Sequence, residues 1–253
     1  MIYSCSMFFN EFDLLDLKIA EEINIVDKII LVESTKTHSN QNKNLLLKNN
    51  PKYVHPKIEI VVVGEDFSNS KFDNEASQRN ASIKAMQQLK DDDVIISCDL
   101  DEILCEEDIS KVVEKTKEKK YIKIGMKSHF YKINLLFGTW KSPIAVTGKV
   151  LKENKMDLTK LRHDRAGVLV NTNGHHFSYL GTPENIKLKL DSFKHSDVSS
   201  KVKKIDWIKE RIANKEDILK RKGRVGTIVP IDHTYPKTIL NNLEQWEKHI
   251  EKE

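Results

Sequence analysis

The chain has 253 residues, of which 39% are hydrophobic and 32% are charged. This length supports one large core and excludes a disulfide-stapled miniprotein, and recurring blocks of Val, Ile and Leu argue against disorder. Lys+Arg 42 against Asp+Glu 38 leaves a net charge of +4, with both signs interspersed. Because no basic stripe is present, the composition disfavours nucleic acid as a partner.

The cysteines and the first residues indicate the compartment. Cys5, Cys98 and Cys105 are odd in number and form no CxxC pair, which predicts reduced thiols and a cytoplasmic location. The apolar run at the beginning of the sequence lacks a basic segment and ends at Asn10 and Glu11. We therefore expect neither a secretory signal nor a membrane span.

In the first half of the chain, short β-branched runs alternate with helical patterns. The predicted strands are 2–9, 28–32, 58–64 and 93–98, and the predicted helices are 12–23 and a segment through Ala81, Ala85, Met86 and Leu89. This alternation predicts an α/β layer with a mostly parallel central sheet flanked by helices. The aperiodic stretch 35–56 is predicted to be a long loop at the carboxyl edge of the sheet.

The pattern changes after Asp101. A predicted helix over 106–117 is followed by strand-like runs at 121–126, 130–137 and 144–151 and by helical patterns at 185–195, 202–212 and 237–249. We expect a mixed or antiparallel continuation of the sheet and a helical C-terminal subregion. No repeat or linker divides the sequence, so 1–253 is predicted to be a single domain.

The sharpest motif is Asp99-Leu-Asp101, which follows the apolar run Val94-Ile-Ile-Ser-Cys98. A strand that ends in Asp-x-Asp places two carboxylates where open α/β sheets bind ligands. Hard oxygen donors at this spacing suit Mg²⁺ or Mn²⁺, which in turn holds a diphosphate. The alternative interpretation is a solvated turn with an acidic helix cap.

Two enzyme classes use such a motif. A nucleotide-sugar transferase binds a metal and a diphosphate there, whereas a haloacid-dehalogenase-type phosphatase uses the first Asp as its nucleophile. The phosphatase requires Thr or Ser two residues after the second Asp, and Ile103 stands there. Three predicted strands also precede the motif, so the transferase is favoured. An inactive sugar-binding module remains a further alternative.

Four other positions are candidates for the site. Arg79 is predicted to support a phosphate or an Asp carboxylate, or to be a surface arginine at the start of a helix. His176 is a candidate third metal ligand, although a single His is more often structural. Glu184 follows Thr182-Pro183 at a predicted helix start, where it is either a general base or a dipole-matching cap. Trp140 is the preferred sugar-stacking residue among Phe130, Tyr131, Trp140 and Tyr179.

Several blocks together resemble glycosyltransferase family 17, the family of β-1,4-mannosyl-glycoprotein 4-β-N-acetylglucosaminyltransferase. The resemblance is carried by Phe8-Phe-Asn-Glu-Phe-Asp-Leu-Leu15, Leu31-Val-Glu-Ser-Thr-Lys-Thr-His38, Asp99-Leu-Asp-Glu-Ile103, Gly174-His-His-Phe-Ser-Tyr179, Thr182-Pro-Glu-Asn-Ile186 and Lys189-Leu-Asp-Ser-Phe193. These blocks run in order along nearly the whole chain.

The resemblance implies a GT-A type fold, a UDP-sugar donor such as UDP-GlcNAc, a glycan acceptor and inversion at the anomeric carbon. Asp99 and Asp101 would correspond to the metal motif and His176 to the His of the family's Gly-Trp-His, whose Trp is replaced by His175. The animal members are anchored in the Golgi membrane. The missing anchor here predicts a soluble enzyme with a different acceptor.

The resulting hypothesis divides the chain into a nucleotide-sugar-binding half, 1–103, and an acceptor-binding half, 104–253. Mn²⁺ or Mg²⁺ on Asp99, Asp101 and His176 would neutralise the diphosphate, and Glu184 or, second, Asp191 would be the base. Trp140 and Tyr179 are predicted to contact the acceptor. The remaining predicted donor contacts are Phe9, Asn10, Glu33, Ser34, Asp66 and Arg79.

Overall fold

The structure is a computed structural model that describes residues 1–192, 201–221 and 223–252. Its strands are β1 (Ile2–Phe8), β2 (Lys28–Ser34), β3 (Ile58–Val63), β4 (Val94–Ser97), β5 (Glu102–Ile103), β6 (Tyr121–Phe130), β7 (Leu135–Trp140), β8 (Ile144–Thr147), β9 (Val168–Ser178) and β10 (Thr227–Ile228). Its α-helices are α1 (Phe12–Glu22), α2 (Lys71–Asn80), α3 (Glu106–Lys119), α4 (Gly148–Glu153), α5 (Leu158–His163), α6 (Pro183–Ser192), α7 (Ile205–Ala213), α8 (Lys237–Leu240) and α9 (Leu243–Trp246).

The strands form one mixed sheet with the order β10-β7-β6-β8-β4-β1-β2-β3, and β9 pairs with β5 and β6. The first half is parallel, because β1 pairs in parallel with both β2 and β4, and β2 with β3. In the second half β8 pairs antiparallel with β4 and β6, and β6 pairs antiparallel with β7. Since β6 pairs in parallel with β9, the continuation is mixed. The predicted α/β fold with a mixed or antiparallel continuation is therefore confirmed.

Helices cover both faces of the sheet, which explains why its central strands are continuous apolar runs. In β2, Ile29 and Leu31 pack with Leu15 of α1 in one buried cluster. The alternating residues Ile30 and Val32 point to the other face, into a cluster that includes Ala81 and Leu158. Burial on both faces leaves only the strand ends to present polar side chains to a ligand.

Several predicted boundaries are corrected by the structure. The helix before β4 is α2, which begins earlier than expected because the Ser70 hydroxyl caps it, accepting a hydrogen bond from the Asp73 N–H. Arg79, which was predicted to lie at the start of that helix, is in its last turn. The predicted strand 130–137 is interrupted at Tyr131, where φ is +67°, and β7 begins only at Leu135.

Two further corrections concern the later part of the chain. The predicted strand 144–151 ends at Thr147, and α4 follows. The predicted helix 237–249 is divided into α8, α9 and a short 3₁₀ turn. The predicted helix 185–195 is α6, and its last predicted residues, Phe193 to His195, lie outside the described residues.

The described residues also bear on the membrane and cysteine predictions. No helix in the described ranges combines the length and apolar character that a membrane crossing needs. Cys5, Cys98 and Cys105 are all buried and carry free thiols.

Candidate active site

A cavity of about 350 Å³ opens beside the carboxyl ends of β1 and β4. Its lining includes the acidic residues Glu11, Glu75, Asp99 and Asp101, the basic residues Arg162, Lys189 and Arg221, and the rings of His38, Phe130, Trp140, His163, His176 and Tyr179. The chain leaves β4 at Ser97 and passes Asp99 and Asp101 before β5. The sheet edge therefore presents the Asp-x-Asp motif to a cavity, as the sequence predicted.

Asp99 is held by two arginines. Arg79 Nη1 donates to Asp99 Oδ1 at 2.6 Å, and Arg162 Nη2 donates to Oδ2 at 2.7 Å. Burial alone would raise the pKa of this carboxyl, but the charges of Arg162 and Arg79 hold the pKa well below its usual range. Asp99 is therefore an anion with a basic partner on each oxygen. The predicted contact of Arg79 with an Asp carboxylate is present.

Asp101 has a lysine and a histidine as its partners. Lys189 Nζ donates to Asp101 Oδ2 at 2.9 Å, and His176 Nε2 lies 3.6 Å from Oδ1. Lys189 also pairs with Glu11 at 3.1 Å. Burial would raise the pKa of Asp101, but Lys189 and then His176 lower it far below the usual range. The ammonium group of Lys189 on α6 thus links Asp101 of the motif to Glu11 in the loop before α1.

Glu102, which was not among the predicted site residues, holds several groups of the site in place through hydrogen bonds. Its side chain is fully buried and accepts from Arg162 Nη2 at 2.5 Å and Nη1 at 3.1 Å, and from Trp140 Nε1 at 2.5 Å. Its Oε2 also accepts from the backbone N–H of Asp99 at 2.5 Å. Glu102 therefore fixes the turn that carries the Asp-x-Asp motif.

Trp140 and His176 form a stacked pair at the wall of the cavity. Their ring centroids are 4.4 Å apart with an interplanar angle of 25°. The pairing of Glu102 with His176 between β5 and β9 places His176 beside the motif. Trp140 and His176 both line the cavity. The stacked rings therefore form one part of its wall. Tyr179, the other predicted acceptor contact, lines the same cavity.

The predicted metal ligands do not fit a resident divalent ion in this arrangement. Mg²⁺ and Mn²⁺ favour oxygen ligands, yet both carboxylate oxygens of Asp99 accept hydrogen bonds from arginines, and Asp101 accepts one from Lys189. The Nε2 of His176 faces the same carboxylate. In the part of the chain that the structure describes, no group of three or more His, Cys, Asp or Glu is arranged to hold a metal.

His175, the departure from the family's Gly-Trp-His, lies in the core and does not line the cavity. Its ring stacks on Phe177 at 5.2 Å between centroids, and its Nδ1 lies 3.0 Å from Nε2 of His129. Burial lowers the pKa of His175 to about 3, so it is neutral at physiological pH. The exchange of Trp for His at this position changes core packing.

Three predicted donor contacts lie away from the cavity. Glu33 is fully buried and accepts from the backbone N–H groups of Leu46 at 2.5 Å, Leu47 at 3.0 Å and Lys48 at 3.3 Å. Ser34 donates to the carbonyl of Lys36 at 2.6 Å. Asp66 is exposed beyond β3. Glu33 and Ser34 therefore shape the loop after β2.

We expect Glu33→Gln to loosen the loop after β2 without unfolding the protein. Glutamine keeps one acceptor oxygen but turns an NH₂ donor toward backbone N–H groups, which weakens bonds to a charged acceptor. Amide hydrogen exchange at Leu46, Leu47 and Lys48 should accelerate at least about tenfold, because tenfold corresponds to ~1.4 kcal/mol of local opening. Glu65→Gln, on an exposed residue, is the matched control. Unchanged exchange at these amides would contradict the assignment.

The remaining candidates lie outside the cavity that Asp99 and Asp101 line. Phe9, Asn10 and Asp191 line a second groove of about 440 Å³ beside the loop after β2. Asp191 pairs there with Lys187 at 2.5 Å. Glu184 is exposed on the first turn of α6, where its own backbone N–H and Thr182 lower its pKa. The structure therefore does not bring either predicted base to the Asp-x-Asp motif.

Arg162 and Lys189 line the cavity and contact the Asp-x-Asp motif, but sequence reasoning left both without a role. Arg162 is at the end of α5, far along the chain from the motif, and no local pattern marks it. Lys189 stands within one of the blocks on which the family resemblance rests. That block was therefore the available signal for Lys189.

Comparisons with known proteins give one family and several distant structures. The family model described as Glycosyltransferase family 17 matches residues 1–251. None of the curated proteins compared with the chain matches it. Among solved structures, the chain is similar to Francisella tularensis 2-C-methyl-D-erythritol 4-phosphate cytidylyltransferase, with 13% identity, 74% of this chain and 97% of that chain covered, and a TM-score of 0.45. It is also similar to S. aureus TarS 1–349, with 12% identity, 84% and 70% covered, and a TM-score of 0.41.

Proposed function

Because the chain belongs to glycosyltransferase family 17 and is a glycosyltransferase, we propose that it moves a sugar from a UDP-sugar to a hydroxyl group of a glycan, with inversion at the anomeric carbon. N-acetylglucosamine is the first sugar to test, as the family resemblance implies, and a related hexose or pentose is second. The observation that carries the proposal is the cavity at the carboxyl ends of β1 and β4, lined by Asp99 and Asp101.

The proposed reaction is a single displacement. The acceptor oxygen forms a bond to C1 of the sugar while the bond from C1 to the diphosphate oxygen breaks, and its electron pair leaves with the diphosphate. The acceptor proton passes to a carboxylate base. In the cavity, Trp140 offers an aromatic wall for a sugar, and the fixed charges around Asp101 orient the diphosphate side.

The choice of base follows from which carboxylates reach the cavity. Glu184 and Asp191 were proposed from the sequence, but neither lines the cavity that contains Asp99 and Asp101. Glu11 and Glu75 do, with side-chain exposures of 17% and 14%. Glu11 is paired with Lys189 and Glu75 with Arg79. We therefore add Glu11 and Glu75 to the proposed bases and place them ahead of Glu184.

The phosphatase alternative loses support at Asp99. A nucleophilic carboxylate must present one oxygen to phosphorus, and both oxygens of Asp99 accept from arginines. Ile103, at the position where the phosphatase needs a hydroxyl, is fully buried. An inactive sugar-binding module is tested by the turnover measurement below.

The compartment and the acceptor complete the proposal. We propose a cytoplasmic location, supported by three cysteines with free thiols. The acceptor is proposed to be an oligosaccharide or other glycan. Fractionation of the source cells tests the location.

We expect a UDP-sugar to stabilise the protein and to be consumed. A ligand at 100 times its dissociation constant adds ~2.7 kcal/mol to the free energy of unfolding. Thermal-shift measurements with UDP-, GDP- and CMP-sugars, each with Mn²⁺ and with EDTA, identify the donor class. Release of UDP is then measured with oligosaccharide acceptors. No shift and no UDP release with any donor would contradict the proposed function.

A further inference from the structure

We propose that Lys189, together with Arg221, supplies the positive charge that neutralises the donor diphosphate, so that sugar transfer by this chain requires no divalent cation. This inference rests on the proposed function, because it concerns the leaving group of that reaction. Its support comes from the side chains that contact Asp99 and Asp101 and from the basic groups that line the cavity.

Lys189 and a metal ion would compete for Asp101. The ammonium lies 2.9 Å from Asp101 Oδ2. A divalent ion bound to that oxygen at about 2.1 Å would lie within roughly 5 Å of the ammonium, in a poorly solvated site. Repulsion between the two cations would be strong there. Lys189 also pairs with Glu11 at 3.1 Å. Its ammonium group therefore already bridges the carboxylates of Asp101 and Glu11.

Asp99 is also hydrogen-bonded to basic side chains through both of its carboxylate oxygens. Arg79 and Arg162 occupy its two oxygens, and Arg162 is locked in turn by Glu102. The side chains of Arg79 and Arg162 are only 4% and 5% exposed. A metal ion bound to Asp99 would have to displace a charge-assisted hydrogen bond from one of these buried arginines. The Asp-x-Asp motif therefore holds basic side chains at the cavity.

Two basic side chains, Lys189 and Arg221, line the same cavity. Tyr179 lines it as well. Arg221 Cζ lies 5.6 Å from the centroid of the Phe130 ring, and the centroids of the Phe130 and Tyr179 rings are 5.7 Å apart. Arg221 is fixed by Asp217, with Nε to Oδ2 at 2.7 Å. A diphosphate bound in this cavity would meet two cations.

The expected effect is measured by nucleotide binding, which does not depend on turnover. Isothermal calorimetry with UDP, and with GDP for comparison, is performed on the wild type in EDTA and in Mn²⁺. We expect the UDP affinities in the two buffers to agree within about threefold. Lys189→Met should weaken UDP binding in EDTA at least tenfold, and Arg221→Met should weaken it by a smaller factor.

Two further variants separate charge from folding. Lys189→Arg keeps the positive charge and should bind UDP within about fivefold of the wild type. Lys115→Met is the matched control, because Lys115 also pairs with two carboxylates, Glu114 and Glu118, but lies on α3. It should bind as the wild type does. Circular dichroism melts establish which variants are folded. If Lys189→Met is not folded, UDP binding by Lys189→Arg provides the test.

Each outcome of these measurements either supports or overturns the role proposed for Lys189 and Arg221. UDP binding or UDP-sugar turnover that occurs only with Mn²⁺ overturns it and leaves the proposed function intact. Equal UDP binding by folded Lys189→Met and wild type in EDTA also overturns it. Absence of binding and turnover with every nucleotide in both buffers contradicts the proposed function as well.

Discussion

Replacing Asp101 by asparagine is expected to reduce kcat/KM for sugar transfer about 100-fold or more. The carboxylate is the partner of Lys189 at 2.9 Å and lies 3.6 Å from Nε2 of His176. Asparagine is nearly isosteric but neutral, so it removes the charge that positions the ammonium. A loss of 100-fold corresponds to ~2.7 kcal/mol of transition-state stabilisation, the size expected for one preorganised electrostatic group. Initial rates of UDP release at several donor concentrations measure the loss.

The matched control is Asp91→Asn. Asp91 is exposed and pairs with Lys152 at 2.8 Å, so its substitution also removes one lysine–carboxylate pair but leaves the cavity unchanged. We expect its kcat/KM to stay within about twofold of the wild type, because exposed ion pairs contribute little. An Asp101→Asn enzyme within fivefold of the wild type would contradict the role assigned to Asp101.

The largest expected effect on stability is that of Arg162→Met. Arg162 is 6% exposed and donates to Asp99, to the fully buried Glu102 and to the carbonyl of Ser97. Removing it leaves a buried carboxylate without its counter-charge. Breaking a buried ion pair in this way costs about 3–5 kcal/mol, a large part of the 5–15 kcal/mol that stabilises a typical domain. Urea denaturation followed by circular dichroism measures the change.

Two further variants test that explanation. Arg165→Met changes an exposed arginine three residues further along the chain, and we expect a change of less than about 0.5 kcal/mol. The double variant Arg162→Met with Glu102→Gln should be more stable than the sum of the single losses predicts, because it removes both charges of the pair. A loss below about 1 kcal/mol in Arg162→Met would show that the buried pair does not stabilise the fold.

The sequence alone determined the first half of the sheet and the position of the Asp-x-Asp motif. Apolar runs such as Ile29 to Val32 are continuous because both faces of the sheet are covered. A strand that is apolar to its end and continues into Asp-x-Asp can only present the carboxylates at the carboxyl edge. Both features are local, so they are read from a single stretch of chain.

Local patterns were less decisive where the backbone changes direction. The helix before β4 was placed late because its apolar residues, such as Ala81 and Ala85, lie in a 3₁₀ turn that follows α2. The true helix is polar and begins at a cap on Ser70. Capping and packing against the sheet outweighed the apolar spacing there.

The partners of the motif were decided only by the tertiary structure. Lys189 reaches Asp101 across 88 residues of sequence, and Arg162 reaches Glu102 across 60. No local pattern marks Arg162 as buried or Lys189 as partly buried, since charged residues are usually solvated. The pairing of β5 with β9 and the placement of α5 and α6 bring them to the cavity. Sequence periodicity therefore places the carboxylates at the sheet edge, whereas folding decides whether they face lysine and arginine or a metal, because burial permits an ion only with its counter-charge beside it.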